Sequence, residues 1–174
     1  MSARFVLRCG TASGFVVVVI VICNTPGIEQ AAESGKIPHE LWGKWLVVRE
    51  LNTRTISCWG NQDAKKVLQT TIEYSSTTVT WRKLQTKADA VEVRTVTPGN
   101  FKEENSSPSS SGSQIDFQQL GIKSPSVEQI SIRHAAAQIT QATTEFPGDE
   151  VLVKNSDEIV FSMCNLYFEA KRKR

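Results

Sequence analysis

The sequence has little of the residues from which most enzyme sites are built. Its 174 residues include only two histidines, His39 and His134. A histidine-rich metal centre is therefore excluded, and a nucleophile paired with histidine would have to use one of these two. The sequence also lacks a Gly-rich phosphate loop, a metal-spaced Cys or His cluster and a nucleophile elbow. We expect no catalytic residue, no metal and no cofactor, and a binding protein rather than an enzyme.

An excess of charge of one sign is missing as well. The chain carries 20 Lys and Arg against 18 Asp and Glu, which leaves a formal net charge of +2. Proteins that bind nucleic acid through a broad surface need a large basic excess to neutralise phosphates. We therefore expect no nucleic-acid partner.

Apolar runs long enough to cross a membrane are also absent. One shorter apolar run lies at the start of the chain. The uncharged run from Cys9 to Thr25 has 17 residues, and its strongly apolar core, Phe15 to Cys23, has nine. A helix needs about 20 apolar residues to cross a bilayer. Arg4 and Arg8 precede this run, and basic residues before a short apolar stretch are typical of a secretory signal.

We therefore interpret residues 1–34 as a signal peptide and leader, cleaved between positions 27 and 35. The domain at 35–174 is then secreted or periplasmic and does not span a membrane. Two alternatives stay open. The apolar run could be a buried strand or helix of the folded protein, and Cys23, directly after it, could carry a lipid anchor, although Ile22 is not the small residue that a lipidation signal has at that place.

Only Cys58 and Cys164 remain in the predicted mature domain. An exported domain with two cysteines usually pairs them, so we predict a disulfide between these residues. Closing a loop of roughly 100 residues stabilises a fold by about 4.7 kcal/mol in the chain-entropy model. The alternative is two buried free thiols.

Alternation of apolar and polar residues predicts a chain made mainly of strands, about eight in all. Short strands at this spacing favour a sandwich or a closed barrel over a parallel sheet. The predicted strands are Trp45–Leu51, those around Ile72–Tyr74, Val79–Trp81 and Val91–Val93, then Val127–His134 extended through Ile139, Val151–Lys154, and one long strand at Ile159–Ala170.

The remaining segments are predicted as helices, turns and loops. Asn61–Gln69 has apolar residues at helical spacing and predicts one short helix, and Ile115–Leu120 could form a second helical turn ending at Gly121. Pro98–Asn100 predicts a turn. Residues 102–113 contain no apolar side chain and six serines, so we expect a mobile loop there.

The opening strand resembles that of the lipocalins and related calycins. The resemblance consists of Gly43 and Trp45, which match a Gly-x-Trp motif on the first strand, and Arg172 near the end of the last strand. It implies an all-β, antiparallel up-and-down barrel of about eight strands, with Trp45 closing one end and the Arg172 guanidinium stacked on its face, a contact worth about 0.5–2 kcal/mol. It also implies a cup that binds a small apolar or amphipathic molecule.

Five residues on predicted strands are candidates for the lining of such a cup: Tyr74, Trp81, Val93, Arg94 and His134. Trp81 would supply aromatic surface, and Arg94 and His134 could orient a polar group of the ligand. The alternatives are core packing for the aromatic residues and a solvated face for the charged ones. A second hypothesis for function is an interaction protein, such as an inhibitor of an extracellular hydrolase, whose barrel is filled and whose loops at 52–62 and 100–114 contact a protein partner.

Overall fold

The computed structural model describes residues 33–51, 61–105, 115–134 and 146–174. The predicted leader up to residue 32, Cys23, Cys58 and the continuation of the strand beyond His134 lie outside these ranges. All described residues belong to one compact unit. Neither α-helix found in the described ranges has the length and apolar character needed to cross a membrane.

The described residues form an all-β, antiparallel, barrel-like fold. Ten strands make one curled sheet in the order β1-β6-β7-β8-β9-β10-β2-β3-β4-β5. The strands are β1 (Glu33–Ser34), β2 (Gly43–Leu51), β3 (Thr71–Tyr74), β4 (Thr78–Trp81), β5 (Leu84–Lys87), β6 (Ala90–Val96), β7 (Val127–Arg133), β8 (Glu150–Asn155), β9 (Glu158–Met163) and β10 (Leu166–Arg172).

A short segment before β2 links the two ends of this sheet. Its residues Glu33 and Ser34 pair with the start of β6, and three positions later the Ile37 amide donates to the Ser76 carbonyl, 2.8 Å away, in the β3–β4 turn. Gly35 makes the close approach between them, because it has φ +53° and a Cβ here would press on the Ala88 carbonyl. This one segment thus hydrogen-bonds both to β6 and to the β3–β4 turn, which lie in opposite halves of the sheet order.

The inner face of the sheet holds the main core. Side chains that alternate along the strands point inward and are buried in one cluster, and α1 (Asn61–Val67) adds two apolar side chains to it. Its largest fully buried members are Trp45, Tyr74, Phe161, Phe168, Ile37, Leu41, Ile72, Ile130 and Ile159. The Phe161 and Phe168 rings stack across β9 and β10, 5.3 Å apart.

A second apolar cluster lies on the outer face of the same sheet. Alternate residues of β8, β9 and β10, Leu152, Val160 and Tyr167, are buried there beneath α2 (Pro98–Glu104) and the segment 115–122. Phe101 of α2 packs against Phe117 and Tyr167, with ring centroids 5.5 and 6.4 Å apart. These strands are therefore buried on both faces.

Three sequence predictions about elements were wrong. Pro98–Asn100 is not a turn but the start of α2, in which the Thr97 hydroxyl accepts from the Asn100 amide and Pro98 occupies the first turn. Residues 102–104 belong to the same helix rather than to a loop, because Phe101 anchors it to the sheet; residues 106–113 lie outside the described part. The second α-helix is thus α2, and 115–121 forms the predicted helical turn, in which the Leu120 amide donates to the Asp116 carbonyl and which ends at Gly121 with φ +67°.

The predicted long strand at 159–170 is two strands, β9 and β10, joined by a two-residue turn. Cys164 and Asn165 occupy that turn with φ values of +52° and +61°, the backbone of a tight hairpin turn. Asn tolerates this conformation well, but Cys is not a turn residue, which is why the sequence pattern continues across it. The helix predicted at 61–69 is confirmed as α1.

Candidate functional site

The structure brings Gly43, Trp45 and Arg172 together at one end of the barrel. Trp45 is fully buried, and its indole Nε1 donates to the Leu41 carbonyl at 2.7 Å. The Arg172 guanidinium lies over the indole, with Cζ 4.2 Å from the ring centroid. Gly43 has φ +109°, and a Cβ here would sit 3.4 Å from the guanidinium. The expected contact between the Arg172 guanidinium and the Trp45 ring is therefore present.

Backbone carbonyls hold Arg172 in place. Its Nη1 donates to the Trp42 carbonyl and its Nη2 to the Glu40 carbonyl, both at 2.6 Å, and its Nε donates to the Ser156 carbonyl at 2.7 Å. The planar guanidinium can donate hydrogen bonds to three carbonyls and still stack on an aromatic ring, which a lysine ammonium cannot do. The guanidinium therefore ties the end of β10 to the segment before β2 and to the β8–β9 turn.

Tyr74, Trp81 and His134 converge on one turn, residues 146–149, which we call the Phe146 turn. The buried Tyr74 hydroxyl donates to the Gly148 carbonyl at 3.0 Å. Trp81 and His134 each meet the Phe146 ring edge to face, with centroids 6.4 and 6.0 Å apart. The three side chains predicted to face a ligand instead contact a segment of the protein itself.

His134 is held between two acceptors. Its side chain is 1% exposed, with Nε2 2.6 Å from Asp149 Oδ1 and Nδ1 2.9 Å from the Lys87 carbonyl. Burial by itself lowers the pKa of His134, but the hydrogen bonds to Asp149 and Lys87 outweigh burial and the pKa is raised. Both ring nitrogens are satisfied only in the imidazolium form, so the pair with Asp149 is a buried ion pair that fastens the Phe146 turn.

Asp149 completes the same turn. Its Oδ2 accepts from the Phe146 amide at 2.9 Å, and its carbonyl accepts from the Ile132 amide at 2.7 Å. Gly148 has φ +90° and lies so close to Tyr74 that a Cβ there would overlap the phenol oxygen. The turn is thus fixed by a charge pair, a phenol and a backbone conformation that favours glycine.

The inner face is packed with side chains over most of its area. Trp45, Val47, Ile72, Val79, Ile130, Val151, Ile159 and Phe168 all have 0% exposure. Side chains without accessible surface are in close contact with their neighbours, so the inner face is densely packed where these eight meet. Val93, another predicted ligand residue, is partly buried against this core, as are Trp81 and Phe146.

Arg94 points to the other side of the sheet, into a cavity of about 400 Å³ on the outer face. Its Nη1 donates to Glu104 Oε1 of α2 at 2.8 Å and its Nη2 to Gln129 Oε1 at 3.0 Å. We call this cavity the outer groove. Its polar lining consists of Glu92, Arg94, Glu104, Asn105, Gln129, Ser131, Glu150 and Ser162, and its apolar lining of Phe101, Val151, Leu152, Val160 and Tyr167.

The outer groove is acidic overall. Its lining holds three carboxylates, Glu92, Glu104 and Glu150, and one cation, Arg94; Glu92 also pairs with Arg133, 3.6 Å away. Glu150 accepts from the Ser131 hydroxyl at 2.7 Å and from the Gln129 amide at 3.2 Å. Burial, followed by the charge of Glu150, raises the pKa of Tyr167 to about 12, so its hydroxyl stays a donor, here to Asn105 at 3.2 Å.

A separate buried carboxylate lies on the outer face of β10. Glu169 is 3% exposed and accepts from Arg49 at 2.8 Å and from Lys154 at 2.9 Å. Burial raises the pKa of Glu169, yet the two cations outweigh it and the pKa is lowered. The glutamate is paired on both sides, and we assign it a structural role in joining β2, β8 and β10.

Sequence reasoning missed Phe146 and the wall that α2 gives the outer groove. The Pro147–Gly148 pair predicted a turn there but not that Phe146 would fold back onto Trp81, since that contact joins strands far apart in the sequence. The cap at Thr97 followed by Pro98 is a helix signal that could have revealed α2. Cys164 is nearly buried at the β9–β10 turn, while Cys58 lies outside the described residues, so their disulfide stays a prediction.

Within the described ranges, no group of three or more His, Cys, Asp or Glu side chains is arranged to hold a metal ion. No protein-family model, no curated protein and no solved structure matches the chain.

Proposed function

We propose that this chain is an exported, lipocalin-like interaction protein without catalysis, which binds a protein partner through the outer groove. The packed inner face favours protein binding over small-molecule binding in a cup, the two functions that the sequence left open. Eight inner side chains at 0% exposure leave no space among them for a ligand, whereas the outer face has a cavity of about 400 Å³.

The lining of the outer groove indicates what kind of segment fits it. Three carboxylates surround one arginine, and an apolar floor of Leu152 and Val160 lies beneath them. A polypeptide segment with a lysine or arginine next to an apolar side chain complements both features. One wall is α2 with Asn105, which is part of the 100–114 region predicted to make contacts with a partner.

Binding of basic segments can be tested with a displayed library of random peptides, selected on the purified protein. We expect the enriched peptides to carry Lys or Arg beside an apolar residue. Glu104→Lys places a cation in the groove and should weaken their binding by about tenfold, because like charges then meet. Glu103→Lys is the matched control, since Glu103 is exposed on the same helix but does not line the groove, and it should leave binding unchanged.

Two results would contradict the proposal. One is that no peptide depends on Glu104. The other is a small apolar molecule found by mass spectrometry of a solvent extract, together with quenching of tryptophan fluorescence by fatty acids or retinoids. That second result would restore the cup function, with the partly exposed Trp81, Val93 and Phe146 as the residues that contact the ligand.

A further inference from the structure

A second cavity lies on a different part of the outer face and has the opposite charge. It measures about 310 Å³ and is lined by Lys44, Thr70, Thr71, Glu73, Thr80, Arg82 and Lys173. We call it the basic groove. It shares no residue with the outer groove. Its lining holds three cations and one carboxylate, a local excess as large as the net charge of the whole chain.

Pairing of the strands places these residues side by side. Lys44 of β2 lies opposite Glu73 of β3, and Glu73 lies opposite Thr80 of β4. The Lys173 amide donates to the Lys44 carbonyl at 2.7 Å, which adds a second lysine beside the first. The sheet register therefore lines up lysines and a threonine hydroxyl on one surface, fixed by the backbone rather than by flexible loops.

Arg82 is oriented in advance. It follows β4 with φ +56°, its guanidinium stacks on the Trp81 ring at 4.4 Å from the centroid, and its Nη2 donates to the Lys66 carbonyl. A guanidinium held on a ring face loses little conformational entropy when it binds an anion and keeps further N–H groups free to donate. Within the described ranges no carboxylate forms an ion pair with Arg82 or Lys173.

We infer that the basic groove is a binding site for a phosphate or sulfate ester. Two lysines, a preoriented arginine and the Thr71 and Thr80 hydroxyls are the donors that such groups require. Glu73 is the one opposing charge, and it lies 3.7 Å from Lys44 Nζ with half of its side chain exposed. A bound dianion replaces Glu73 as the partner of Lys44. The free-energy cost of breaking this weak surface ion pair is small.

The test uses pyrophosphate as probe and amide and indole NMR signals of the purified protein as readout, at low ionic strength. We expect saturable shifts at the basic groove and at the Trp81 indole N–H, which donates to Thr70 Oγ1 at 2.9 Å. Chloride at matched ionic strength should not produce them. Arg82→Ala or Lys173→Ala should weaken binding by about threefold to tenfold, and Lys123→Ala, an exposed lysine outside the groove, should not.

Glu73→Gln gives the sharpest result, because it should tighten pyrophosphate binding by about twofold to fivefold by removing the opposing charge. Vesicles of phosphatidylglycerol and of phosphatidylcholine distinguish the source of the phosphate. Binding to the anionic vesicles alone, lost in Arg82→Ala, indicates a lipid headgroup, and binding to pyrophosphate alone indicates a free phosphorylated molecule. Binding to neither probe, or binding that Arg82→Ala and Glu73→Gln leave unchanged, overturns the inference while leaving the outer groove untouched.

Discussion

The inner and outer faces of the curled sheet are both apolar along β8, β9 and β10, but different structures cover them. The inner face is covered by the curl of the sheet itself, in which inward side chains of β2–β4 and β6–β10 form one buried cluster. The outer face is covered by a seven-residue helix, α2, and by the turns at 115–122. The inner face is thus covered by many strands linked by hydrogen bonds, whereas the outer face is covered by short local segments.

This difference explains why the two faces have different uses. A side chain inside the barrel can shift only if several strands move, so the inner face favours dense packing. A short helix covers only part of the sheet, which leaves the outer groove beside it, lined by Glu104 of α2 and by Arg94 of β6. The outer groove therefore lies at the edge of the area that α2 and the turns at 115–122 cover.

A matched pair of phenylalanine variants is expected to give the largest effect. Phe161→Ala, inside the barrel, should lower the free energy of unfolding by about 4–5 kcal/mol, because the cavity it leaves cannot collapse. Phe101→Ala, on the buried side of α2, should lower the free energy of unfolding by about 3 kcal/mol, since the short helix can move into the space that the ring leaves. Urea unfolding curves measure both. A larger cost for Phe101→Ala than for Phe161→Ala would contradict the comparison.

The Phe146 turn, which is fixed from the inner face, offers the next effect. Gly148→Ala should cost about 3 kcal/mol, because a Cβ there overlaps the Tyr74 hydroxyl and the backbone has φ +90°. Tyr74→Phe removes the hydroxyl, so the double variant should be less destabilised than the sum of the two single variants. Thermal or urea unfolding of all four proteins completes the cycle, and simple additivity would show that the overlap is unimportant.

The smallest expected effect is a dependence of stability on pH. The pKa of His134 is raised in the folded protein, so the pair with Asp149 stabilises fully below about pH 6.5, the ordinary pKa of histidine, and this stabilisation is lost as the pH rises through the folded value. The backbone carbonyl of Lys87 accepts a hydrogen bond from the His134 ring. Besides Asp149, the charge of Asp89 also raises the pKa of His134. Unfolding curves between pH 5.5 and 8.5 should show this loss.

His134→Gln should flatten that dependence. His39→Gln is the control, because His39 is exposed and lies against Trp42 rather than in the Phe146 turn, and it should keep the slope of the unchanged protein. An equal slope in His134→Gln would show that the buried pair is not its source.

The sequence was informative where periodicity and local chemistry act, and uninformative where distant segments meet. Alternation predicted a chain made mainly of strands, in a sandwich or a closed barrel. The lipocalin resemblance implied the antiparallel barrel and the stacking of Arg172 on Trp45, whose ring centroid lies 4.2 Å from the guanidinium. The strands buried on both faces weaken the alternation, as at Ile159–Phe161, so the sequence did not reveal the outer cluster. The partner of His134, Asp149, is 15 positions away in the sequence, and no local pattern encodes that pairing.

The anchoring of Arg172 has a consequence for how the chain folds. Its hydrogen bonds to Trp42 and Glu40 span 130 and 132 positions of sequence, and β10 lies between β9 and β2 in the sheet. Until β10 arrives, one edge of β2 is unpaired, and such edges are where chains misassociate. Contacts of this sequence separation slow folding. We therefore expect the insertion of β10 to be the slow, committing step of folding.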